Sequence, residues 1–152
     1  MATSKRLPKV QSGIAGEYLV AAELTRRGLV ASLTLKNTQG IDILTSSADG
    51  RKQVAIQVKC DQGKGPGWML GAKAEKLAAK SLFYVFVRLH DGGIPDFHVV
   101  PSRIVAQFVT KDNRDWLATP GRGGRPHREN PIRIFRDRLN KYRGQWQLLG
   151  LE

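Results

Sequence analysis

Cysteine, histidine and acid are all scarce in this sequence, and each shortage excludes something. The single cysteine, Cys60, rules out an internal disulfide and a cysteine-based zinc site. The three histidines, His90, His98 and His127, are scattered and miss the spacing of a metal-ligand set. No apolar run approaches the roughly 18 residues of a membrane-spanning helix. The longest, Leu82–Val87, reads as a strand. The basic N-terminus, with Lys5, Arg6 and Lys9, is not followed by the apolar stretch of a secretory signal. No internal repeat or heptad pattern is present. Gly63–Gly67 lacks the Gly-Lys-Ser or Gly-Lys-Thr ending of a nucleotide-binding loop. These absences lead us to expect a cytoplasmic protein with no membrane partner.

What remains is basic. Asp and Glu number 13 against 25 Lys and Arg in 152 residues, a formal charge of +12. A surplus this large on a small chain favours a polyanionic partner, nucleic acid or an anionic membrane surface, and the absence of a spanning run weakens the membrane half. A solubilising charge with no partner is the bland alternative. The 41% hydrophobic content is ordinary for a folded chain, and the length suits one domain over residues 1–152.

Residues 1–11 read as a loose basic arm. Ser12 is a candidate N-cap for a helix running to Arg27, with Gly28 as its stop. Val30–Leu35, Ile41–Thr45 and Gln53–Cys60 are expected strands of a meander. Gln62–Gly71 reads as a loop and Lys73–Lys80 as a short helix. Ser81–Leu89 reads as a central strand paired with Phe97–Val100, followed by a helix over Pro101–Phe108. Residues 118–131 form a long basic loop. Ile132–Tyr142 resumes a helical pattern, and Trp146–Leu151 is an apolar tail that should dock on the body.

The sharpest clue is an acid on the apolar face of the first helix. At about 100° per residue from Ile14, Leu24, Gly28 and Ala21 fall near 280–340°, Val20 near 240° and Tyr18 near 40°. Glu17 falls at about 300°, inside that arc, whereas Glu23 falls at about 180° among Arg26 and Arg27. A carboxylate in an apolar stripe needs a cation or hydrogen bonds to compensate it. A buried salt bridge or backbone amides would serve as well as a functional partner. Strand alternation points Gln57 and Lys59 to the same side, roughly 7 Å apart. Asp42 lies between Ile41 and Ile43, where an acid is disfavoured unless the strand is an edge with one solvated face. A carboxylate, an amide oxygen and a second carboxylate make an all-oxygen donor set suited to magnesium or manganese. A lysine beside such an ion can hold a phosphate oxygen or orient an attacking water.

Gly16-Glu17, then Gly40-Ile-Asp42-Ile, then Ile56-Gln57-Val-Lys59 resembles the PD-(D/E)xK nuclease superfamily. The order is similar to that of archaeal Holliday-junction resolvases and restriction-endonuclease-like proteins. The Gln-x-Lys form looks closest to small bacterial members. The resemblance implies an α/β fold with a central mixed sheet flanked by helices. It implies a metal-dependent nuclease acting on DNA, with Mg2+ or Mn2+ as cofactor. Asp42 would be the principal metal ligand, joined by Gln57 and the Val58 carbonyl, with Glu17 binding directly or through water. Lys59 would be the catalytic lysine. Gln57 departs from the commoner Glu or Asp and removes one negative charge. The alternative is therefore a catalytically silent nucleic-acid-binding module on the same fold.

The basic surplus offers further contacts. Between residues 118 and 143 eight basic residues face two acids, Glu129 and Asp137. Arg122, Arg125 and Arg128 in the loop are candidate phosphate clamps, joined by Lys36 and Lys64. Trp68 either stacks on a base or packs in the core, and His127 is placed to touch a phosphate. Cys60 beside Lys59 reads as a small buried side chain, with no histidine-linked nucleophile constellation around it. A chain of this size could dimerise to span a duplex, although the sequence shows no interface.

Overall fold

A computed structural model describes residues 5–35 and 38–152. Helix α1 spans Lys9–Arg26 and is followed by β1 (Val30–Leu33), β2 (Ile43–Ser46) and β3 (Gln53–Asp61). Then come β4 (Gly67–Gly71), a 3-10 turn at Ala72–Glu75, β5 (Leu82–Arg88), β6 (Asp96–Pro101) and α2 (Ser102–Ala118). The chain closes with a 3-10 turn at Arg122–Gly124, β7 (Ile132–Arg136) and a 3-10 turn at Trp146–Leu149. Five strands form one sheet in the order β1-β2-β3-β5-β6. The pairing of β3 with β5 is parallel and the others are antiparallel, so the sheet is mixed. Strands β4 and β7 form a separate antiparallel pair.

The sheet is covered on both sides. On one side Val20 and Leu24 of α1 pack with Ile56, Val58, Val85 and the C-terminal Trp146, Leu149 and Leu151, so the apolar tail docks as expected. On the other, Trp68 and Leu70 of β4 and Phe135 of β7 pack with Tyr84, Phe86 and Val105. With cover on both faces, all seven residues of β5 are buried, as suits an interior strand beside a parallel partner.

Several elements differ from the sequence expectation. The helix begins at Lys9, before the expected end of the arm, because Pro8 supplies its N-cap. Residues 1–4 lie outside the described residues. Ser12 is inside the helix and buried, its hydroxyl donating to the Lys9 carbonyl at 3.0 Å. The buried stripe is Ser12, Gly16, Val20 and Leu24, rotated from the expected arc, so Tyr18 is 61% exposed. The expected loop Gln62–Gly71 ends in strand β4, whose partner β7 lies far along the chain. Ile132–Arg136 is that partner, not a helix. Its inward residues are Arg133 and Phe135, and the buried arginine inverts the usual alternation. Arg133 is satisfied by Glu75 at 2.5 Å and Glu129 at 2.8 Å. Only the single 3-10 turn at Ala72–Glu75 stands where a short helix was expected. Helix α2 runs ten residues past Phe108, to Ala118. Its apolar anchors, Val105, Ala106 and Val109, all lie in the first half, which hid the polar continuation. Among the described residues, no helix is long and apolar enough to cross a membrane.

Candidate active site

The site begins at a close approach of helix to sheet. A Cβ on Gly16 would stand 2.7 Å from Cys60 Cβ and 3.4 Å from Val58 Cγ1. Only glycine lets α1 lie this near β3, and Glu17, the next residue, is half-buried there. A second glycine shapes the entry to β2. Gly40 has φ +71°, a conformation that residues with a side chain adopt rarely, and it turns the chain into Asp42.

Asp42 is fixed by two bonds to β3. Its N–H donates to the Ile56 carbonyl at 2.8 Å, and its Oδ2 accepts from the Val58 N–H at 2.7 Å. Extending the Ile43–Ile56 pairing by one residue sets Asp42 opposite Gln57. Burial pushes the Asp42 carboxyl above its ordinary range, opposed by the Val58 N–H and the positive charge of Lys59. Gln57 and Lys59 share a face of β3 and line a cleft of about 700 Å³. Gln57 Oε1 is the one fully buried side-chain polar atom among the described residues without a hydrogen-bond partner. A buried amide oxygen left so costs on the order of 1–3 kcal/mol.

The structure therefore brings Asp42, Gln57 and Lys59 together. Neither Asp42 nor Glu17 is among the residues that line the cleft, and Glu17 comes from α1, which covers the other face of β3. Among the described residues no group of three His, Cys, Asp or Glu converges as a metal site. The donors at hand are the Asp42 carboxylate, the unpartnered Gln57 oxygen and the Val58 carbonyl; Glu17 is not brought to them. This all-oxygen set fits a hard divalent cation, with Gln57 Oε1 as the atom that lacks a partner.

The outlying candidates are distributed differently. Lys36 lies outside the described residues. Lys64 is exposed at a second cleft of about 550 Å³, which also holds a buried His98–Asp137 pair with Nδ1 and Oδ2 2.8 Å apart. Trp68 corrects the base-stacking option. It is 3% exposed, donates from Nε1 to the Val87 carbonyl at 2.9 Å, and lies under the Arg88 guanidinium, 4.5 Å from its ring centre. No face of the indole is open to a base. Arg122, Arg125 and Arg128 are exposed. None of them forms a salt bridge among the described residues. His127 is stacked on Trp116 with ring centres 4.1 Å apart and its Nδ1 bonded to the Trp116 carbonyl at 2.7 Å. That contact ties the basic segment to α2. Burial, with Asp61 alongside, pushes the Cys60 thiol up to about 11, consistent with a packing residue. The sequence reading missed Lys73 and Lys76, which line the first cleft from the 3-10 turn. Nothing in a surface lysine's sequence context marks it as cleft-facing.

No protein-family model and no curated protein sequence matches the chain. Among solved structures it is similar to the bacterial homing endonuclease I-Ssp6803I, at 12% identity and a TM-score of 0.56, over 95% of this chain and 94% of that one. It is also similar to Hjc, a Holliday junction resolvase from Archaeoglobus fulgidus, at 14% identity and a TM-score of 0.53, over 92% of this chain and 97% of that one. Both are nucleases of the PD-(D/E)xK class. The chain has the restriction-endonuclease-like fold. Within that fold, its five-stranded mixed sheet and α1 place Asp42, Gln57 and Lys59 on adjoining strand positions, in the order of the sequence resemblance.

Proposed function

We propose that this chain is a divalent-metal-dependent nuclease that hydrolyses phosphodiester bonds in DNA. One observation carries the reading. A carboxylate held on the Val58 N–H lies beside a buried amide oxygen with no partner, and a lysine points the same way from two residues on. Asp42, Gln57 and the Val58 carbonyl would hold Mg2+ or Mn2+. When bound, such an ion polarises a phosphoryl oxygen and eases ionisation of water. Lys59 then has two tasks open to it: holding a non-bridging oxygen, or orienting the attacking water. The +12 surplus draws the polyanion in, and Arg122, Arg125 and Arg128 hold its backbone.

A second reading has a specific observation in its favour. With Gln57 in place of an acid and no three-carboxylate group among the described residues, a silent binding module is the alternative. Plasmid, linear, single-stranded and branched DNA incubated with magnesium, manganese or EDTA separate the two. The nuclease reading expects metal-dependent cleavage that Asp42→Ala and Lys59→Ala abolish while binding survives. Salt-sensitive retardation without cleavage under any metal would select the module. Unchanged binding after Arg122→Glu and Arg125→Glu together would remove the basic segment from the contact surface.

A further inference from the structure

Tyr84 sits in the candidate site with a hydroxyl that no other described residue uses. It pairs with Gln57 across the parallel β3–β5 ladder, so the two side chains stand on one face of the sheet. The cross-sheet row is Asp42, Gln57, Tyr84. Its ring is stacked on Phe86 at 5.4 Å between centres and an interplanar angle of 3°, which fixes the direction of the phenol. The residue is 1% exposed, yet among the described residues its hydroxyl has no hydrogen-bond partner. Gln57 Oε1 is the sole sealed side-chain atom in that condition. The phenol oxygen is therefore the part of Tyr84 that opens into the cleft it lines.

That cleft is built for an anion. Lys59, Lys73 and Lys76 line it, and no carboxylate does. A phenol is protonated at neutral pH and can donate. In phosphoryl transfer, charge spreads over the non-bridging oxygens, and a fixed donor there acts on the transition state. We propose that Tyr84 is a catalytic residue whose O–H donates to a non-bridging oxygen of the phosphate being cleaved. This inference rests on the nuclease reading above.

The test is Tyr84→Phe in the full chain, which keeps the ring and its stack and removes only the donor. Three quantities are measured: the single-turnover rate of DNA cleavage with Mn2+, the Mn2+ affinity and the melting temperature. We expect the rate to fall on the order of 10- to 100-fold, as for loss of one fixed donor to a transition-state oxyanion. Mn2+ affinity and melting temperature should stay at the wild-type values. An unchanged rate overturns the assignment. So does a rate that falls only in step with Mn2+ affinity, because Tyr84 would then act through Gln57. Wild-type protein that cleaves DNA with neither Mg2+ nor Mn2+ defeats both readings, whereas wild type and variant cutting alike defeats this one alone.

Discussion

Replacing Gln57 by glutamate tests the electrostatic logic of the site most directly. Position 57 is opposite Asp42 in the β2–β3 ladder, and directly opposed side chains have Cβ atoms about 5 Å apart. Two carboxylates at that distance repel by roughly 3 kcal/mol at an effective dielectric of about 20. Lys59, about 7 Å along the strand, returns roughly 2 kcal/mol. Desolvation of the new carboxylate adds to the residue of this balance, since Gln57 Oε1 is fully buried. We expect Gln57→Glu to lose about 1–3 kcal/mol of stability at neutral pH in EDTA. The sign with pH follows from a folded-state pKa raised above the unfolded one. The loss is absent below the unfolded glutamate value and grows as pH rises towards the folded value. Saturating magnesium or manganese should reverse it, because a ligand that binds only the folded state at about 100 times its Kd adds about 2.7 kcal/mol. Urea unfolding with metal and with EDTA reads both effects. The same loss with and without metal would refute the placement of a cation beside position 57. No loss in EDTA would refute the claim that this position is sealed beside Asp42.

Asp42→Asn keeps an oxygen for the Val58 N–H and removes a carboxyl that burial pushes up. The variant should be more stable than wild type at neutral pH in EDTA, while losing metal binding. The gap should close in pH-dependent melts as the solution is acidified below the ordinary carboxylate range; a gap independent of pH would count against it. Gly16→Ala places a Cβ 2.7 Å from Cys60 Cβ. Overpacking of this kind costs about 1–3 kcal/mol, against at most about 1 kcal/mol of regained helix propensity. A lower melting temperature is expected, and an unchanged one would show that α1 can ride higher on β3. Cys60, its thiol pushed up to about 11, should alkylate slowly in the native state at neutral pH and rapidly in urea. Equal rates would contradict its packing role.

The strand half of the site was legible in the sequence because it violates strand chemistry. Asp42 among isoleucines, and Gln57 with Lys59 on one side of a β-branched run, are placements that propensity and burial oppose. Alternation alone then gave their common direction. The helix half was legible only in part. The wheel put Glu17 inward, but the true buried stripe is centred on Ser12 and Gly16. These small residues carry little hydrophobic signal and are buried because the helix is pressed against Cys60. Strand β7 was illegible for a physical reason. Its inward positions are Arg133 and Phe135 and its outward ones include Ile132, 47% exposed, so a polarity pattern points the wrong way. The carboxylates of Glu75 and Glu129, remote in sequence or on a loop, and the Asn130 and Ile132 carbonyls make that arginine tolerable inside. Tyr84 escaped notice because one hydroxyl in the apolar run Leu82–Val87 reads as core.

The distribution of compensated charge argues for function more strongly than any single distance. Elsewhere, each buried charge has an assigned partner. Arg88 is paired with Asp61 and also donates to the Gly67 carbonyl. Arg133 is held by two glutamates. His98 faces Asp137, whose oxygens also accept the Lys141 and Tyr142 N–H groups. At the Asp42–Gln57–Tyr84 row the pattern fails twice among the described residues, at a sealed amide oxygen with no donor and a phenol with no acceptor, beside a carboxyl that burial pushes up despite the Val58 N–H. A sheet that satisfies charges this thoroughly in its other buried parts has no folding reason to leave two adjacent groups short. Their needs are complementary to a cation that takes oxygen donors and an anion that takes an O–H, the two components of a metal-bound phosphodiester. A functional site retains such destabilising groups where selection for stability alone would replace them.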